Sequence, residues 1–301
     1  MIRRHLSNIF CLISTTVVII MTSCSASKFI PDDKYMLDKV EIKSDVKGFD
    51  AVQLEPYIRQ KANSRWFSLF KIPLGTYALS GRDTTKWINR TLQRIGEQPV
   101  LFDSAQARLS CEDLRTAMQN MGYMNASVSF DVKPKRKKRL DAIYTLHPSD
   151  PFYIRHFTYD IQDSVIAKVL KPYITGEFTP RQFTVSSLDQ ERSRLTAILN
   201  DSGYYRFNKN FIQYSADSVR GSRDVNVVLH LMKYRKSSDT PETLHPRYKI
   251  DRVLFVPFDS TGLHLRRSVL ENSTAINSGD YFSSTNLRRT YNSFARLGAV
   301  R

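Results

Sequence analysis

Leu114-Arg115-Thr116-Ala117-Met118-Gln119-Asn120-Met121-Gly122-Tyr123, followed by Val128, Phe130 and Val132 at every second position, decides the fold. Just upstream, Ser110-Cys111-Glu112-Asp113 reads as a capping box, the serine accepting from the third amide while the acid reaches back. Leu114, Ala117, Met118 and Met121 fall at i, i+3, i+4 and i+7, one face of a helix. Gly122 closes that helix, because glycine takes a left-handed cap without strain. Beyond it the period changes to two. Val128, Phe130 and Val132, then a turn, then Leu140, Ala142, Tyr144 and Leu146 predict a hairpin with one buried face.

The same passage recurs. Ser187-Leu188-Asp189-Gln190 opens a second helix with Leu195, Ile198 and Leu199 on the face of Leu188, closed at Gly203. Tyr204-Tyr205 leads to Phe211-Ile212-Gln213-Tyr214, a polar turn from Asp217 to Arg223, and Val225, Val227, Leu229 and Leu231. Leu287, Tyr291 and Phe294 form a third helix, closed at Gly298. The three glycines stand 81 and 95 residues apart, a spacing for small whole domains rather than for solenoid repeats of about 20 to 50 residues. Ahead of each helix, Tyr35 to Lys43, Phe152 to Ile161 and Tyr248 to Pro257 read as opening strands. A first helix comes next in each case, carrying Leu54-Glu55-Pro56-Tyr57-Ile58, Leu170-Lys171-Pro172-Tyr173-Ile174 and Val269-Leu270, and the prolines make it short or kinked. The unit is strand, helix, helix, strand, strand, and the fold class is α+β in tandem modules.

The first residues speak of location. Arg3 and Arg4 precede an apolar run from Phe10 to Met21 that ends in Thr22-Ser23-Cys24, the layout of a secretory signal peptide and too short to span a bilayer. Met21-Thr22-Ser23-Cys24 also resembles a bacterial lipobox, which would make Cys24 the lipidated first residue of the mature chain; the plainer alternative is an ordinary signal peptide cleaved nearby. With Cys11 inside the removable segment and Cys24 at its edge, only Cys111 of the three cysteines remains, so neither a disulfide framework nor a Cys/His metal cluster is expected. The chain of 301 residues carries a formal charge of +16, a field that attracts anionic lipid, acidic protein or nucleic acid alike. Export argues against nucleic acid.

The order of these modules behind an exported start resembles the polypeptide-transport-associated (POTRA) domains of the BamA and TamA outer-membrane superfamily, and more narrowly its lipoprotein branch, the TamL-like proteins. The stretches that carry the resemblance are Ser27-Lys28-Phe29-Ile30-Pro31-Asp32-Asp33-Lys34-Tyr35-Met36-Leu37, Trp87-Ile88-Asn89-Arg90 through Arg94-Ile95-Gly96-Glu97-Gln98-Pro99-Val100, and the Gly-Tyr pairs Gly122-Tyr123 and Gly203-Tyr204. It implies residues 1–23 as signal peptide, 24–34 as lipidated tether, 35–150 as a first POTRA-like domain with an insertion at 64–81, 151–234 as a second, 235–246 as a linker on which the third unit flexes, and 247–301 as a third. The third unit has Gly298-Ala299-Val300 in place of Gly-Tyr and no hairpin before Arg301, so an incomplete piece, truncated before the family's membrane β-barrel, is the expectation.

The resemblance further implies a scaffold, lipid-anchored at the outer membrane with its domains in the periplasm, that belongs to a machine for outer-membrane protein assembly or translocation. Its partners would be unfolded outer-membrane proteins, TamB-like or other assembly factors, and the membrane itself through the anchor; no cofactor and no metal is implied. Clients would join by strand addition, since backbone pairing is indifferent to side-chain sequence. The candidate strands are the second of each unit, residues 126–132 and 207–215, with Val128, Phe130, Val132, Phe211, Ile212 and Tyr214 as contacts; shielded edges are the plainer alternative.

Three local features stay open. The basic run Lys133, Lys135, Arg136, Lys137, Lys138 and Arg139 reads as a contact loop for anionic head groups or an acidic partner, or as a solvated hairpin tip. In the insertion, Trp66 and Phe70 are read as packed on their own domain, with a recognition loop as the alternative. Six histidines are scattered, without an acid or cysteine at ligand spacing, and no nucleophile elbow, zinc helix, phosphate loop or dinucleotide fingerprint is present, so no enzyme is expected. A free-standing envelope lipoprotein that binds another periplasmic component, with no role in barrel assembly, is the competing reading.

Overall fold

The computed structural model describes residues 26–64, 72–174, 181–218, 221–235, 239–256 and 265–297. The expected signal peptide at 1–23, Cys24, the aromatic half of the expected insertion with Trp66 and Phe70, and the closing Gly298 lie outside the described residues. The chain divides into two compact units, residues 1–150 and 151–301.

In the first unit the elements are β1 (Met36–Ser44), a 3-10 turn (Val52–Tyr57), α1 (Ile72–Leu79), α2 (Trp87–Ile95), α3 (Ser104–Asn120), β2 (Ser127–Lys135) and β3 (Arg139–His147). β3 is the centre of the sheet, with β1 parallel on one side and β2 antiparallel on the other, in the order β1-β3-β2. Alternation on β3 places Leu140, Ala142, Tyr144 and Leu146 against Leu114, Ala117 and Met118 of α3 and against Leu37, Leu54 and Ile58. The 3-10 stretch is the expected first helix, cut to six residues with Pro56 inside it. Part of the 64–81 insertion is packed: Leu74 and Ala78 of α1 are buried with Ile30, Met36 and Ala26. Ala26–Phe29, expected as polar tether, thus forms a 3-10 turn with an apolar underside.

The second unit repeats the plan with β4 (Tyr153–Ile161), α4 (Ser164–Ile174), the two-residue β5 (Arg181–Gln182), α5 (Val185–Asp201), β6 (Ile212–Ser218) and β7 (Asp224–Leu231). Its sheet runs β5-β4-β7-β6, β4 parallel and β6 antiparallel to the central β7. Even the irregularity is copied: β1 shifts register between Leu37 and Lys39, and β4 between Ile154 and His156. Ile166, Leu170, Leu195, Leu199, Leu229 and Leu231 form the core.

The glycine stops are where the periodicity placed them. Gly122 has φ +97° and Gly203 φ +101°. Tyr123 N donates to Met118 O and Gly122 N to Gln119 O, the two bonds of a Schellman cap, and Tyr204 N donates to Leu199 O in the second copy. The helix starts need correction. Asp103, not Ser110, caps α3, accepting from the amides of Ala105 and Gln106, while Ser110 sits mid-helix and donates to Gln106 O. In α5, Thr184 takes the cap from Ser187, whose amide it accepts. In each case a short polar side chain further upstream reaches the orphan amides first.

The third opening strand is also corrected. Residues 248–256 form no strand; only a single bridge pairs Lys249 with Tyr281. β1 and β4 are strands because β3 and β7 run parallel beside them, and among residues 248–297 no such partner is described. Two helices complete the second unit, α6 (Arg267–Asn272) and α7 (Ser284–Leu297).

Candidate binding surfaces

Strand order puts β1 and β2 at the edges of the first sheet and β5 and β6 at those of the second, with no further strand beyond β2 or β6 among the described residues. On β2 the second half carries its own guards: Lys133, Pro134 and Lys135 all blunt an edge against pairing. The first half, Ser127 to Val132, has none of these, and β6 has neither lysine nor proline.

The side chains named as client contacts divide. Val128 and Phe130 turn inward, Phe130 stacking on Phe102 at 6.0 Å and meeting Tyr144 at 5.0 Å, whereas Val132 is exposed. Ile212 is fully buried, and Tyr214 is fixed by its hydroxyl, which donates to Leu188 O at 2.9 Å. Phe211 lies in the turn before β6, its ring 4.7 Å from the imidazole of His245. What the two edges offer outward is main chain with polar side chains, the carboxylates of Asp131 and Asp217 among them, and Val132. Beside the outer edge of β1, a groove of about 410 Å3 is lined by Asp38, Val40, Glu55, Ile58 and Lys61.

Half of the basic run is committed. Lys135 Nζ lies 2.9 Å from Asp38 and 2.7 Å from Asp141, Lys138 Nζ lies 2.6 Å from Asp32, and Arg139 is 3.8 Å from Asp38. Lys133, Arg136 and Lys137 are exposed, Lys137 and Lys138 turning the hairpin with φ of 63° and 52°.

Two of the histidines occupy matching places, one in each unit. His147 accepts or donates at Ser129 Oγ (3.0 Å from Nε2) and meets Asp45 (2.6 Å from Nδ1); His230 does the same with Ser215 at 2.8 Å and Asp160 at 2.8 Å. The second trio joins β4, β7 and β6, and the first joins β3 and β2 to Asp45 immediately after β1. The pattern copies the donor order of a hydrolytic triad, with the serines on exposed strand positions. It acts as a cross-strand tie. Sequence reasoning missed it because serine and aspartate meet histidine only through strand register; the signal was the equivalent place of the two histidines at the ends of the third strands.

Inside the second unit Glu191 is buried, accepting from Arg194 Nε at 2.8 Å, Arg194 Nη2 at 2.6 Å and Tyr159 Oη at 2.9 Å. Burial works to raise its carboxyl, but the bonds from Arg194 and Tyr159 outweigh it and hold the group below its usual range. The Tyr159 phenol, by burial first and the Glu191 charge second, is pushed up to about 12.

The 235–246 stretch is bonded along its described length. Tyr234 and Thr243 exchange backbone bonds, and the buried His245 donates its amide to Asp163 Oδ2 at 2.8 Å, the carboxylate whose other oxygen caps α4. Beyond it Tyr248 N donates to Gly203 O, Arg247 lies 3.4 Å over the Tyr281 ring, and Tyr205 meets Phe282 edge-on at 4.9 Å. Asp201, the last residue of α5, accepts from Ser283 Oγ, Ser284 Oγ, Thr285 N and Thr285 Oγ1 at 2.7 to 3.0 Å.

Among the described residues no cluster of three or more His, Cys, Asp or Glu side chains would hold a metal, and no helix is long and apolar enough to cross a membrane. No protein-family sequence model and no curated protein sequence matches the chain. Among solved structures it is similar to POTRA domains 3–5 of BamA from Haemophilus influenzae, at 13% identity over 89% of each chain with a TM-score of 0.43. It is similar to POTRA domains 1–2 of Omp85 from Anabaena at 8% identity, over 66% of this chain and 96% of that one, TM-score 0.27. CdiB from Escherichia coli matches at 7% identity over 72% of this chain and 32% of its own, TM-score 0.24.

Proposed function

We propose that the chain is a periplasmic scaffold, lipid-anchored through Cys24 at the outer membrane, that receives unfolded outer-membrane proteins by strand addition at β2 and β6 as part of an assembly or translocation machine. The observation that carries this reading is the repeated sheet order, which in both units puts the second strand at an edge with a stretch of backbone free of lysine and proline. An incoming extended segment gains main-chain hydrogen bonds there without any demand on its sequence. The inward commitment of Phe130, Ile212 and Tyr214 supports the same reading, since it leaves selection to backbone and not to a side-chain pocket. TamB-like or other accessory factors would take other faces, and the groove beside β1 is the first to examine.

A photo-crosslinking residue at Ser129 or Asp131, on the outer face of β2, tests the proposal during barrel biogenesis. Capture of nascent outer-membrane proteins there, lost when proline replaces a neighbouring β2 residue, is the expected result. Crosslinks only to a folded envelope protein would favour the free-standing lipoprotein, and no crosslink at Ser129 or Asp131, nor at Ser215 on β6, would end the strand-addition reading.

A further inference from the structure

α2 is built inside out. At 100° per residue Trp87, Ile88, Thr91, Leu92 and Ile95 share one face, with Asn89 and Gln93 opposite. The polar face is the one turned to the protein. Gly81 N donates to Asn89 Oδ1 at 2.8 Å, Asn89 Nδ2 to Asp83 O at 2.7 Å, and Gln93 Nε2 to Gly81 O at 3.0 Å. Gly96 presses so close to α1 that a Cβ there would meet Tyr77 N at 2.5 Å. On the far side Trp87 is 70% exposed, Ile95 66% and Ile88 52%. A surface helix of a water-soluble domain does the reverse, and such a patch marks a contact.

Charge says with what. Lys86, Arg90 and Arg94 are exposed around this face, and residues 84–96 contain no acid. Next to the helix, a cleft of about 370 Å3 has Lys28, Arg82, Tyr77 and Gln93 in its lining and no carboxylate. Tryptophan and isoleucine beside arginine and lysine, without acid, is the composition of helices that lie in the interface of an anionic bilayer. The chain start supports this occupant over a protein groove. Lys28 Nζ donates to Ser80 O at 2.6 Å and Phe29 meets Tyr77 edge-on at 4.9 Å, so residues 26–29 sit on α1, the helix against which Gly96 at the end of α2 packs. Cys24 is two residues away, within about 7 Å by covalent reach.

We propose that α2 is a bilayer-docking helix: Trp87, Ile88 and Ile95 enter the head-group layer of an anionic membrane while Lys86, Arg90 and Arg94 meet lipid phosphates, laying the first unit against the surface that holds its anchor. The placement beside Cys24 rests on the lipid-anchor reading above; the helix face does not. The full chain is therefore tested as Cys24→Ser, which cannot be acylated, with Trp66→Phe so that Trp87 is the sole tryptophan. It is mixed with phosphatidylcholine vesicles, with and without phosphatidylglycerol, whose acyl chains carry bromine. Quenching of Trp87 that requires the anionic lipid supports the proposal, with Arg90→Gln and Arg94→Gln each weakening the partition about fivefold. Trp87 that stays unquenched on vesicles that float the chain overturns it and leaves the anchor untouched. Emission already blue-shifted without lipid and unchanged by it also overturns it, the face then being covered by residues 65–71 or by a second copy.

Discussion

Replacing Asp201 by asparagine, and separately by alanine, tests whether residues 247–297 are fastened to the second domain or merely trail behind it. Asp201 is oddly placed for its own helix, because an acid in the last turn of α5 opposes the helix dipole. Its carboxylate serves α7 instead, taking the Thr285 amide and three hydroxyls. Ser283 caps the same helix from within, accepting the amide of Asn286 at 3.2 Å. Asparagine keeps one acceptor and loses the charge, which for an exposed group amounts to about 1 kcal/mol; alanine loses the whole cap, about 2 kcal/mol. Amide hydrogen exchange in the body of α7 reads this directly, with protection expected to fall about fivefold in Asp201→Asn and about thirtyfold in Asp201→Ala. The Asp201 carboxyl is held below its usual value: burial raises it, but Thr285, Ser284 and Ser283 outweigh that. A depressed carboxylate contributes above its unfolded value near 4 and stops contributing as pH falls through the folded one. The difference between wild type and Asp201→Asn is thus flat from about pH 5 to 8 and closes only in acid. Unchanged α7 exchange in both variants, with Ser283→Ala still exposing the helix, would refute the reasoning and favour a freely flexing linker at 235–246.

Two further changes probe the second unit. Gly203→Ala forces a side chain onto φ +101° and against Arg247 Cγ at 2.9 Å; since Arg247 can move, the backbone strain dominates, and urea unfolding should show a loss of about 1–2 kcal/mol. Tyr159→Phe removes one donor from Glu191 while both Arg194 bonds remain, a loss of about 1 kcal/mol at neutral pH. Because the Tyr159 phenol is raised to about 12, its contribution is complete below the unfolded value near 10 and disappears as pH rises through 12, so the alkaline fall in stability should become shallower in the variant.

The parts of this fold that were legible in the sequence are those where one residue decides the local geometry. Gly122 and Gly203 declare a left-handed cap wherever they sit, and the alternation on β3 and β7 declares a buried face whatever covers it. Helix starts were less legible because several polar residues compete to cap them: Ser110 has the right neighbours, yet Asp103 reaches orphan amides earlier and the helix simply runs through the serine. The strand at 248–256 was misjudged for a different reason, since its pattern is strand-like but a strand exists only by its partner.

Surface features were the hardest to read, because they are made by register and docking rather than by spacing along the chain. Ser129, His147 and Asp45 are far apart in sequence and meet only because β3 lies between β1 and β2. α2 carries the opposite lesson. Its periodicity is plain, and a reader would turn Trp87 and Ile95 inward by reflex; it is the three bonds from Asn89 and Gln93 to the Gly81–Asp83 backbone that fix the polar side as the inner one. An amphipathic pattern defines two faces but not which of them is buried. Where the buried face is the polar one, the exposed apolar face becomes a candidate contact, and the arginines beside Trp87 and Ile95 on α2 are why an anionic bilayer is the neighbour proposed for it.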